Sequence, residues 1–311
     1  MPAPTSLEKL RALDEDGLPS LIGLDVPALE ACLEGLGEPL GQRSLRARQL
    51  FHWIYHRGAI SFETMTTLPR ALRARLAETC SVARPAVVTE QRSGDGTWKW
   101  LLRFADGQEV ETVFIPEDDR GALCVSTQVG CTLTCSFCHT GTMPLVRNLG
   151  APEILAQMLV ARDALQEWPT AREGRLFTNI VVMGMGEPLF NYDATVAALR
   201  LAMDEQGLNL SRRRITVSTS GVVPRIEQLG PELGVGLAVS LHAVRDELRD
   251  ELVPLNRKWN IAALLDACRR YPSRRPITFE YVMLQGVNDG DADARELVRL
   301  LQGIPAKVNL I

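Results

Sequence analysis

From Leu123 onward, short apolar runs alternate with segments of helical period, and this alternation restricts the fold of the 311-residue chain more than any other feature. Leu123 to Gln128, Thr178 to Met183, Arg214 to Ser218, Val235 to Leu241, Ile277 to Leu284 and Lys307 to Ile311 read as strands. Pro152 to Trp168, Tyr192 to Met203, Ile261 to Tyr271 and Asp291 to Leu301 read as helices between them. Apolar strands separated by helices demand a parallel sheet with right-handed crossovers. Six strands fall short of the eight that close a barrel. The expected fold is therefore α/β, a partial (β/α)6 barrel over residues 117–311. Parallel strands bury both faces, and no helix follows the last strand to cover it, so a C-terminally truncated chain is expected.

The preceding residues follow different periods. Asp25-Val-Pro27 opens a helix carrying Leu29, Cys32, Leu33 and Leu36 at helical spacing, ended by Gly37. A second helix carries Leu45, Ala47, Leu50, Phe51 and Ile54 and stops at Gly58; a third follows Pro69. Residues 1–85 are read as a helical accessory domain. Residues 86–116 shift to period two, with turns at Asp95-Gly96 and Asp106-Gly107, and predict a three-stranded antiparallel extension. No internal repeat or low-complexity tract is evident.

Charge is unevenly spread. The net charge of −4 argues against a general nucleic-acid binder. Yet residues 43–75 hold Arg43, Arg46, Arg48, Arg57, Arg70, Arg73 and Arg75 against Glu63 alone, interleaved with Phe51, His52, Trp53, Tyr55 and His56. Arginine for phosphates and aromatic rings for unstacked bases are what RNA recognition uses. A helix with Leu50, Phe51 and Ile54 in the core and arginines on its wet face explains the same residues equally well. Neither a basic leader with an apolar stretch nor an apolar run of ~18 residues is present, so a cytoplasmic protein without membrane contact is expected, and a monomer.

Chemistry enters at Cys131-Thr-Leu-Thr-Cys135-Ser-Phe-Cys138-His139. C-x3-C-x2-C brings three soft ligands into one loop. A four-iron cluster takes one thiolate per iron, so three thiolates leave one iron open to another ligand. Cys135-x-x-Cys138 alone matches a thioredoxin-like pair, and with His139 it matches haem attachment, which belongs to exported proteins and would leave Cys131 without a role. A Cys3His zinc site through His139 remains as the alternative, although adjacent ligands leave little room for the loop to turn. The seven cysteines are clustered rather than dispersed, which suits a reduced compartment. Cys32 and Cys268 fall on apolar helical stripes and read as core.

The loop, placed after the first strand of a repeating strand-helix unit, resembles the radical S-adenosylmethionine superfamily. Val110 to Arg120, Leu123 to Cys131, Gly184-Met-Gly-Glu-Pro-Leu189, Val217-Ser-Thr-Ser-Gly-Val222 and Ser240-Leu-His-Ala243 resemble, more narrowly, its RlmN/Cfr family of RNA methyltransferases. The resemblance implies a [4Fe-4S] cluster on Cys131, Cys135 and Cys138. It also implies S-adenosylmethionine bound by Gly186, Glu187, Ser218, Ser240, Leu241 and His242, at successive strand ends. The implied reaction methylates carbon 2 of a specific adenosine in 23S rRNA and of the adenosine 3′ of the anticodon in tRNA. It runs through a methyl-cysteine and a covalent RNA adduct, with an external electron donor such as flavodoxin. Cys124 is implied to resolve the adduct by a thiolate-disulfide step, and Glu111 to accept the carbon 2 proton. Alternatives are methylation at carbon 8, as in the Cfr enzymes, or a cluster-bearing RNA-binding protein. The family's methyl-carrying cysteine would lie beyond Ile311, and Cys32, Cys80 and Cys268 do not match it. The 311 residues are therefore expected to bind cluster and S-adenosylmethionine without methylating RNA.

Overall fold

The computed structural model describes residues 13–14, 16–118, 120–171, 173–272 and 275–311. Residues 1–12 and 15 of the expected helical domain lie outside the described residues. Internal contacts gather the chain into two units, the first formed by Met1–Val125, Leu149–Asn179 and Asp193–Leu210, the second by Ser126–Asn148, Ile180–Tyr192 and Ser211–Ile311.

In the first unit, α1 (Val26–Gly35) starts where the Asp25 carboxylate accepts a 2.9 Å bond from Ala28 N, which satisfies one of the unpaired amides of the first turn. α2 (Leu40–Phe51) runs directly into a five-residue π-helix, His52–His56, and α3 (Arg70–Thr79) follows. Leu50, Phe51, Ile54, Leu72 and Leu76 are buried, whereas His52 and Arg57 are exposed. The stripe from Ala47 onward is thus core, whereas Leu45, expected in it, is 46% exposed at the start of α2, where the helix has not yet reached the core. The buried Tyr55 hydroxyl accepts from Gly23 N at 2.8 Å and donates to Leu24 O at 3.1 Å, pinning the chain that enters α1.

β1 (Ala86–Arg92), β2 (Trp98–Arg103), β3 (Glu109–Glu117) and β4 (Arg120–Cys124) form an antiparallel meander. The expected three strands are four. The apolar run at Leu123, read as the first parallel strand, begins earlier and pairs antiparallel with β3. Glu117 lies opposite Arg120, so two residues separate these strands, and so short a connection can only be a hairpin. α4 (Ala151–Ala164) and α5 (Tyr192–Met203) complete the unit's regular structure. Residues Ile154 to Arg162 of α4 are all buried, so this helix is enclosed rather than amphipathic.

The second unit opens with β5 (Gln128–Val129) paired antiparallel to β6 (Arg147–Asn148). Then come β7 (Asn179–Val182), β8 (Ile215–Thr219), β9 (Gly236–Ser240), β10 (Ile277–Tyr281) and β11 (Ala306–Leu310), and from β8 onward each pairs parallel with the strand before it. Strands added in sequence order and one direction are the winding of a (β/α) barrel left unclosed. The helices are α6 (Val223–Leu233), α7 (Asp246–Leu252), α8 (Ile261–Arg270) and α9 (Asp291–Leu300). α6 and α7 escaped the sequence reading for physical reasons. α6 contains Gly230 and Pro231, which read as breakers, and α7 has seven residues with only Leu248 and Leu252 apolar. All five residues of β11 are exposed.

Candidate functional site

In the second unit, the carboxyl ends of β7, β8, β9 and β10 and the cysteine loop surround a cavity of about 270 Å³. Ligands of parallel sheets bind at this end, where loops rather than strands face the opening. Cys131, Cys135, Cys138, Gly186, Glu187, Ser218, Ser240 and His242 all line it. Leu241 does not: its side chain is fully buried, its N–H donates to Glu280 O at 3.1 Å and its carbonyl accepts from Arg249 Nε at 3.0 Å. Cys124 and Glu111 belong to the first unit. Cys124 is half-buried at the end of β4, opposite Val113. Glu111 is exposed on β3, with its carboxylate 2.9 Å from Lys99 Nζ.

The cysteine loop is held at both ends. Pairing of β5 with β6 closes its base, and Cys131 N donates to Met143 O at 3.1 Å. Gly130 has φ +76°, and a Cβ there would lie 2.2 Å from Pro144 O, so no other residue fits this entry to the loop. Within the loop, Cys138 N donates to Cys135 O at 3.1 Å and Gly141 N to Cys138 O at 3.0 Å. These turns bring the three cysteines to the cavity. Leu133 N lies 3.3 Å from Cys131 Sγ as a donor, a contact of the kind that tunes metal-bound sulfur. Ser136 N donates to Leu252 O at 3.2 Å, anchoring the loop to the end of α7.

The turn after β7 lines the same cavity beside Cys131. Gly186 has φ +98°, and a Cβ there would lie 2.5 Å from Gln128 Cβ. The fully buried Gln128 joins this turn to the cysteine loop. Its Oε1 accepts from Glu187 N at 2.9 Å and from Thr132 N at 3.2 Å, and its Nε2 donates to Asn148 Oδ1 at 2.7 Å. The buried Glu187 carboxylate accepts from Leu189 N at 3.1 Å and Ser220 N at 2.8 Å. Burial raises its pKa above the usual carboxylate range, against the lowering by those amides. His242, at φ +60°, is buried edge-on to Phe137 with ring centroids 4.4 Å apart. Its Nδ1 accepts from Val282 N at 3.1 Å, which places the ring proton on Nε2. Burial, and secondarily the nearby Arg249 charge, push its pKa down to about 4, so it is neutral at physiological pH.

The donor set fits the implied cofactors. Burial pushes the Cys131 thiol up and the Cys135 thiol to about 12, so as bare thiols they keep their protons, and metal ions would replace those protons on binding. Among the described residues no three His, Cys, Asp or Glu side chains stand close enough to share one ion. A cluster does not ask for that, because each thiolate takes a different iron. Glu187 forms no ion pair among the described residues, and the ammonium of an amino-acid ligand in the cavity would supply the missing cation.

Arg249 was not foreseen. Fully buried, it donates from Nη2 to Ser220 O at 2.7 Å and Ser240 O at 2.9 Å, from Nε to Leu241 O, and from Nη1 to Asn256 Oδ1 at 2.9 Å. It ties the ends of β8 and β9 together beneath the cavity. Burial lowers its pKa to about 10, so the guanidinium stays charged. An arginine among acids in a short segment gives no sequence signal of this. Gln128 and Ser220 escaped for the same reason, since their partners are remote in the chain.

Comparison with known proteins is consistent with this geometry. Residues 125–298 match the model of the radical SAM superfamily, and residues 20–82 match that of the ribosomal RNA large subunit methyltransferase N-terminal domain. The chain is 60% identical to the dual-specificity RNA methyltransferase RlmN of Rhodospirillum rubrum, over 99% of this chain and 72% of that protein. It is 61% identical to RlmN of Methylorubrum extorquens, over 94% of this chain and 73% of that one. A radical SAM methyltransferase from Sphaerobacter thermophilus superposes with a TM-score of 0.86 at 49% identity, covering 94% of this chain and 84% of that structure. Among the described residues no helix is long and apolar enough to cross a membrane.

Proposed function

The chain belongs to the radical SAM superfamily and, within it, to the RlmN family of RNA methyltransferases, and from that premise we propose that it serves methylation of adenine carbon 2 in 23S rRNA and in tRNA 3′ of the anticodon. The observation that carries this reading is the convergence of Cys131, Cys135 and Cys138 with Glu187, Ser218, Ser240 and His242 on one cavity. Carbon 2 of adenine is not nucleophilic, so transfer of a methyl cation from a sulfonium is closed to it. Held by the three cysteines, a cluster reduced by the external donor would supply one electron to the bound sulfonium, which opens a radical route to that carbon.

The chain's own residues bind, orient and exclude water. Cys131, Cys135 and Cys138 would each hold one iron of the cluster. Glu187 receives the amino group of the methionyl part, and the Gly186 backbone, free of a side chain, lets that part approach closely. Ser218 and Ser240 offer hydroxyls, and His242 a ring N–H, to the remainder. Phe137 and the closed packing of Leu241 keep water from the reacting centre.

Glu111 is assigned the carbon 2 proton and Cys124 the release of the RNA adduct, both on the strength of their positions in the family motifs. The helices of residues 1–85 are assigned the RNA grip, with Arg57 and His52 on their wet face. The place of action is the cytoplasm. Cys32, Cys80 and Cys268 are buried at 2% exposure each, so none is placed to carry a methyl group to RNA.

Anaerobic reconstitution with iron and sulfide tests the reading. 5′-Deoxyadenosine formed from S-adenosylmethionine under reductant supports it, and an intact cluster that yields none would leave a cluster-bearing RNA-binding protein. For the chain extended to the length of its relatives, mass spectrometry of digested RNA reads the product, and 8-methyladenosine in place of 2-methyladenosine would refute carbon 2 specificity.

A further inference from the structure

The three residues between the first two cysteines form a wall between the cavity and the outside of the molecule. Leu133 lines the cavity on one side and, on the other, an open depression made with Thr132, Thr134, Phe190, Leu255, Arg257 and Lys258. Leu133 therefore faces both the cavity that the three cysteines line and the outside of the molecule. The depression is apolar at its floor, where Leu133, Phe190, Pro254 and Leu255 meet, and its only charged lining residues are Arg257 and Lys258, both exposed. Lys258 Nζ rests 4.6 Å from the ring centroid of Trp259, which holds the ammonium at the rim.

We propose that this depression docks the external electron donor, an acidic one-electron carrier protein of flavodoxin type. The inference rests on the cluster reading above and adds the place where the electron enters. A carrier seated here is oxidised by one electron and the cluster is reduced by one; no bond is made or broken. A small apolar floor with a charged rim suits redox encounters, which are brief and bury little surface. The chain's net charge of −4 would repel an acidic partner at long range. At physiological ionic strength charges act over only about 8 Å, so the local cations decide the approach.

The test is stopped-flow reduction of the reconstituted protein, with flavodoxin hydroquinone in one arm and dithionite in the other. Arg257→Glu/Lys258→Glu is expected to slow reduction by flavodoxin roughly 10-fold or more at low salt, and to leave reduction by dithionite unchanged. Added salt should slow the flavodoxin reaction of the unaltered protein and narrow the gap between the two. Equal flavodoxin rates in both proteins overturn the proposal. So does equal slowing with dithionite, which would make the two residues supports of the cluster, and so does a loss confined to RNA binding, which would make the depression an RNA contact. Failure of dithionite to reduce the unaltered protein would instead sink the cluster reading on which the proposal stands.

Discussion

Arg249 shows how one side chain can hold a site together without lining it. Its guanidinium satisfies the carbonyls of Ser220, Ser240 and Leu241 where water is shut out. Arg249→Met is expected to cost about 3–5 kcal/mol of stability, because it strands buried acceptors, as measured by urea denaturation. Glu187→Gln should leave iron content intact and weaken S-adenosylmethionine binding at least about 10-fold, since one charge-assisted contact is worth more than 1.4 kcal/mol; calorimetry on the reconstituted protein would read this, and undiminished affinity would reassign the carboxylate to structure alone. His242 adds a pH dependence. Its pKa falls from an ordinary 6.5 to about 4 on folding, so the unfolded chain binds the extra proton first as pH drops. Its contribution is full above about 6.5 and lost progressively towards 4. Melting temperature should therefore fall across that window, and less so in His242→Gln. The cysteine loop was readable from the chain because its spacing is local. Gln128 and Arg249 were not, since they act on residues 59 and 29 positions away.

At the scale of elements, the site is a strand-end turn and a loop locked by short secondary structure. β5 and β6, two residues each, are too short to be read from sequence, yet they close the cysteine loop. The turn after β7 depends on Gly186. Gly186→Ala combines an unfavourable φ of +98° with a Cβ 2.5 Å from Gln128 Cβ. It should cost at least about 2 kcal/mol and lower S-adenosylmethionine affinity along with it, whereas Gly37→Ala, at φ +73° with open space around it, should cost less and leave affinity alone. Comparing the two by thermal melts and binding separates backbone strain from collision. In the N-terminal helices, Leu50→Ala should destabilise by about 2–5 kcal/mol, while Arg57→Glu should leave stability unchanged and weaken RNA binding in a filter assay. The strong 3.6-residue stripe made these helices legible. α6 and α7 were hidden, one by a proline and a glycine inside it, the other by its brevity.

On the scale of the molecule, loading the cluster should raise the melting temperature of the apo chain by several degrees, and a chelator should reverse this, because thiols held neutral by burial gain metal partners only in the folded state. A melt unaffected by iron would show the loop to be independent of its metal. The amino-acid order by itself determined the α/β class, the helical and antiparallel segments before the barrel strands, and the three-cysteine loop. Each of these is written in local spacing, in periods of two or 3.6 or in a few residues of one loop. Tertiary structure alone decided that β4 turns back antiparallel on β3, that Glu187 is a buried carboxylate held by the amides of Leu189 and Ser220, that Arg249 clamps two strand ends, and that Leu133 lines both the cavity of the three cysteines and a basic depression outside. Those facts depend on which distant segments meet, and burial and charge take their effect only once the chain has brought them together.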